Sequence, residues 1–121
     1  MTYNSNQLQY FLRKAITLAS TYEDQVSGLS VLGDYLTEDI ANDWMDNDID
    51  ELLLLATQKA IPVKAVNIYI QINCNFTKVS AGSEGFEPEI WTLTGLRNHP
   101  FWTSQRRLAN DFINALLLSA N

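Results

Sequence analysis

At 121 residues the chain has room for one ordinary domain and not for two, and it can bury roughly 65% of its unfolded surface without a metal or disulfide staple. A single cysteine, Cys74, excludes an internal disulfide, and the longest purely apolar run, Leu52 to Ala56, falls far short of the ~20 residues of a membrane span. The formal net charge of −6 argues against general nucleic-acid or anionic-membrane binding.

Taken in chain order, Leu8, Phe11, Leu12, Ala15, Leu18, Ala19, Tyr22 and Val26 recur at spacings of three and four, which predicts one long amphipathic helix. Asn4 or Ser5 caps its start, and Ser27-Gly28 breaks it. Leu32, Leu36, Ile40 and Trp44 predict a second helix. Asp48 and Glu51 have the spacing of a capping box and open a third helix through Ala60, ended by Pro62.

From Val66 the period changes. Val66, Ile68, Ile70, Ile72, Cys74 and Phe76 alternate with polar or amphipathic residues, which predicts a long, half-buried strand. Ser80 to Pro88 reads as a hairpin loop, Glu89 to Thr94 as the returning strand, and Pro100 to about Leu118 as a last helix burying Leu108, Phe112, Ala115 and Leu116. The expected fold is therefore α+β in a single domain: three N-terminal helices, an antiparallel hairpin with room for a third strand, and a C-terminal helix on one sheet face. The hairpin's open edges, or a helix face, suggest a homodimer.

The chemistry-bearing residues reduce to few. Asp46-Asn47-Asp48-Ile49-Asp50 resembles the opening of a calcium loop, but Glu51 stands where glycine is needed and Thr57 where a bidentate Glu is needed. One histidine, His99, and one cysteine cannot supply a zinc site. The strand register places Cys74 in the core as an inert thiol, and His99, beside Pro100, is placed to cap the last helix. Gly82-Ser83-Glu84-Gly85 lacks the basic surroundings of an RNA-clamping loop. No cofactor, metal or catalytic residue is singled out.

Two surfaces remain. Ala15 to Gln58 holds ten acids and no Lys or Arg, so Asp39, Asp43 and Asp46 are candidates to steer a basic protein partner. Phe86 to Arg107 combines aromatic residues with arginines, the types enriched at binding hot spots. Arg97, Trp102, Arg106 and Arg107 are the candidates there, with Trp102 expected to be exposed at the start of the last helix, after the turn at Asn98 to Pro100. The sequence thus points to a non-enzymatic cytosolic protein, lacking a signal peptide, that binds a macromolecule as an adaptor, regulator or inhibitor. The alternative is a small enzyme or small-ligand binder with a carboxylate-lined pocket between helices and sheet.

Overall fold

The computed structural model describes residues 5–28, 36–45 and 48–119. Seven α-helices and one 3₁₀ turn account for the regular structure of these residues, and none of them is a strand. The α+β expectation, its hairpin and any dimer built on a sheet edge are thereby overturned.

The first expected helix is two. α1, Ser5–Ala19, buries Leu8, Phe11, Ala15 and Leu18, the stripe that its spacing set out. At its end the Ser20 hydroxyl turns back onto the Ile16 carbonyl. Thr21 then accepts the Asp24 N–H, a capping bond that starts α2, Tyr22–Gly28. Buried Gln25 donates its amide to the carbonyls of Thr17 and Leu18, near the carbonyl end of α1, where partners inside the helix run out.

α3, Leu36–Met45, buries Leu36, Thr37, Ile40, Ala41 and Trp44, while Leu32 lies outside the described residues. α4, Ile49–Thr57, starts where expected but without the capping box, because the Asp48 side chain makes no cap bond and is recruited by Lys14 and Tyr10. Its end precedes Pro62. The N–H groups of Lys59 and Ala60 bond to the carbonyls of Ala56 and Leu55, with Lys59 in the left-handed region at φ 61°. This is the double closure that commonly terminates helices.

The expected strand is α5, Val63–Val79. Its sequence carries two patterns at once. Alternation links Val66, Ile68, Ile70, Ile72, Cys74 and Phe76, while Ala65, Val66, Tyr69, Ile72 and Phe76 fall on one helical face. The second set is the one buried; Ile70 and Cys74 are exposed. The weak helix propensity of β-branched residues amounts to a few tenths of a kcal/mol each, whereas burying a large apolar side chain is worth ~1.5–3 kcal/mol. Packing on three neighbouring helices therefore decides.

The expected return strand is a 3₁₀ turn, Pro88–Trp91, followed by α6, Leu93–Asn98. Thr92 starts α6 by accepting the Gly95 N–H. Gly95 lies so close to the Glu89 carbonyl that a Cβ there would overlap it. α7, Pro100–Ser119, opens with the Phe101 N–H donating to His99 Nδ1, the capping role expected of that histidine. It buries Phe112, Ala115 and Leu116, with Leu108 half-buried.

α7 packs along α1 and α5, α5 also meets α3 and α4, and α6 with the 3₁₀ turn closes one end against α7 and α3. Two aromatic clusters fill the interior. Phe11, Trp44, Tyr69 and Phe112 form one, and Phe76, Trp91, Phe101 and Trp102 the other. No helix among the described residues is long and apolar enough to cross a membrane.

Candidate functional site

On α3, the residues at spacings of three and four from Glu38 form a stripe: Glu38, Ala41, Asn42 and Met45. This stripe is one wall of an open groove of about 330 Å³. The facing wall comes from the segment after α5: Ser80, Ala81, Phe86, Pro88 and Trp91.

Internal bonds hold both walls. The Thr37 hydroxyl donates to the Trp91 carbonyl at 2.8 Å, tying α3 to the 3₁₀ turn. Trp91 Nε1 donates to the Val79 carbonyl at 2.9 Å, and the Ser83 hydroxyl to the Thr77 carbonyl, so the segment folds back on the end of α5. Gly85 permits that return, since a Cβ there would stand 2.6 Å from the Lys78 carbonyl oxygen. The groove is thus preformed rather than assembled by a ligand.

Its surface is largely apolar. Met45 is 37% and Phe86 39% exposed. Polar groups are few: the Ser80 hydroxyl already donates to the Phe76 carbonyl, leaving Asn42 and Glu38 at the lip. Glu38 lies 3.3 Å from the Thr37 hydroxyl oxygen, whose one proton goes to the Trp91 carbonyl, and no Lys, Arg or His among the described residues pairs with it.

The residues singled out from sequence scatter. Trp102 is fully buried, with Nε1 donating to the Ile90 carbonyl at 2.8 Å; it is an anchor of the core, packed against Phe76, Trp91 and Phe101. Arg106 donates to Gln25 and to the Leu96 carbonyl. Burial pulls its guanidinium below the ordinary arginine value, against an opposing pull from Glu23. Arg97 lies over the Tyr22 ring at 5.6 Å. These two arginines therefore lash α2 to α6 and α7. Arg107 is exposed on α7, and Asp39 and Asp43 sit on α3 beside the groove stripe. Asp46 lies outside the described residues.

Cys74, expected in the core, is exposed on α5, while the His99 ring is engaged by Phe101 N and, at 3.4 Å, by Glu87. No cluster of three or more His, Cys, Asp or Glu residues suited to a metal occurs among the described residues.

Sequence reasoning missed two features. Phe86 and Trp91 belong to the aromatic segment it marked, but their partners on α3 were not seen. The stripe Glu38, Ala41, Asn42, Met45 was legible as a second face of that helix. Lys14 was also overlooked. It stands three residues after Phe11 and four before Leu18, on the apolar stripe itself, and is 5% exposed. Its ammonium donates to Asp48 at 3.2 Å and to the Tyr69 hydroxyl at 3.1 Å. A charge on an apolar stripe was the available signal.

Comparison with protein-family models, with curated proteins and with solved structures gives no match for this chain, so the functional reading rests on the groove's own chemistry.

Proposed function

We propose that the chain is a binding module, and that the groove between α3 and residues 80–91 receives apolar side chains of a protein partner. The observation that carries this reading is the exposure of Met45 and Phe86 in a concave, preformed setting. Methionine adapts to varied apolar partners, and aromatic residues in pockets supply most interface affinity. The groove is open and offers few convergent polar groups, which favours a protein segment over a small substrate held on all sides.

A photo-crosslinking residue in place of Phe86 tests this in extract of the native cell. The expected result is a discrete protein adduct that disappears when Asn42→Trp fills the groove. Absence of an adduct, or one indifferent to Asn42→Trp, contradicts the reading. The groove's volume favours one rival, since small-molecule sites begin near ~300 Å³. A small apolar ligand would appear as added mass in native mass spectrometry of protein isolated from its own cell, with no protein adduct.

A further inference from the structure

The two segments that wall the groove carry the same sign of charge, with Glu38 the one acid among the described residues that lines it. α3 carries Glu38, Asp39 and Asp43 and no basic residue. Residues 80–91 carry Glu84, Glu87 and Glu89 and again no Lys, Arg or His. Glu87 has the His99 ring at 3.4 Å. Glu38, half-buried at the lip, has the Thr37 hydroxyl oxygen near it and no basic partner among the described residues. A carboxylate partly withdrawn from water beside an apolar wall is less well solvated than a surface one, and a cation brought to it gains more than across open solvent.

We propose that the occupant of this groove is a basic segment of a partner protein: one or two large apolar side chains that enter between Met45, Phe86 and Trp91, flanked by Lys or Arg that meet Glu38 and the glutamates of residues 80–91. The proposal rests on the groove reading above and adds the partner's chemistry. The division of labour follows from the physics. The apolar wall supplies affinity through burial, and the acidic rim supplies sign discrimination and faster encounter. An acidic or nucleic-acid partner meets repulsion from Glu38 and from the acids on the flanking segments.

The test uses the full chain and two fluorescein-labelled model helices of about fourteen residues. One has a leucine face flanked by lysines, and the other replaces every lysine by glutamate. Anisotropy titrations should show the lysine peptide binding at least roughly tenfold tighter, a difference of ~1.4 kcal/mol. Phe86→Ala and Asn42→Trp should each abolish most of that binding while leaving the thermal melt unchanged, since both side chains are exposed. Glu38→Gln combined with Glu84→Gln should weaken the lysine peptide by roughly threefold to tenfold, chiefly in the association rate, and raising salt from about 0.05 to 0.5 M should do likewise.

The failures separate. If the groove variants abolish both peptides but the two bind alike, the basic partner is overturned and the groove stands. If the lysine peptide binds and the groove variants leave it unchanged, the charge acts elsewhere and both readings fall. If neither peptide binds, both fall as well. If the chain alone sediments as a dimer that Asn42→Trp dissociates, a second copy is the occupant and the basic partner is overturned.

Discussion

The Lys14 ammonium lies 5.1–5.7 Å from the ring centroids of Tyr10, Phe11, Trp44 and Tyr69. Asp48 is its counter-ion, and Tyr10 donates to the same carboxylate oxygen at 2.6 Å. The charge is tolerable in the interior because ring faces, a hydroxyl and a carboxylate together replace its water. Asp48→Asn keeps the shape and removes the anion. The expected cost is about 3 kcal/mol in denaturant unfolding, the usual scale for leaving a buried charge uncompensated; a loss below ~1 kcal/mol would show that the rings alone suffice. Trp102 gives a second test at this scale. Its ring touches Phe76, Trp91 and Phe101, and its N–H satisfies the Ile90 carbonyl. Trp102→Ala should cost ~3–5 kcal/mol and show in the unfolding midpoint, whereas an unchanged midpoint would return Trp102 to the surface.

At the scale of elements, α1, α3, α4 and α7 were legible from spacing, because their apolar residues repeat at three and four with few competitors between, while α2 continued the stripe of α1 and was merged with it. Residues 66–76 were not, because isoleucine, valine and phenylalanine there satisfy two periods at once, and period alone cannot say which face finds a partner. The structure resolves the ambiguity through polar side chains as well as apolar ones. Asn73, which the strand period leaves on the polar face and the helical period places beside Val66, Tyr69 and Phe76, donates to the Trp44 carbonyl at 2.6 Å. Asn75 donates to Gln105, whose own amide reaches the Ile72 carbonyl. These bonds clamp α5 to α3 and α7 in a register a strand would lose. Cys74 reports the outcome. An exposed thiol on α5 should react with a disulfide reagent in the native state at close to its rate in denaturant; protection by tenfold or more would restore the buried register.

At the scale of the whole molecule, the acidic character legible in the composition takes a definite place. The sequence marked Asp39 and Asp43 as charge without an anchor, and Phe86 to Arg107 as anchors without a location. Folding brings α3 and residues 80–91 together, so acids from one stretch border aromatic residues from the other. That juxtaposition depends on the Thr37–Trp91 and Trp91–Val79 bonds, which link residues far apart in the chain and leave no trace in local pattern. The arginines of the same segment are turned to a different use, with Arg97 and Arg106 holding α2 in place.

The proposed function rests on the groove, and Met45 in its wall reports on occupancy. Methionine labelled with ¹³C at its methyl group puts a signal on Met45, assigned by its loss in Met45→Leu. During titration with the lysine-flanked leucine peptide, the Met45 methyl and the Trp91 indole N–H should shift in a saturable way with one shared Kd, and Phe86→Ala should suppress both. If the peptide binds while Met45 and Trp91 stay unmoved, the binding surface lies elsewhere and the groove is not the binding site.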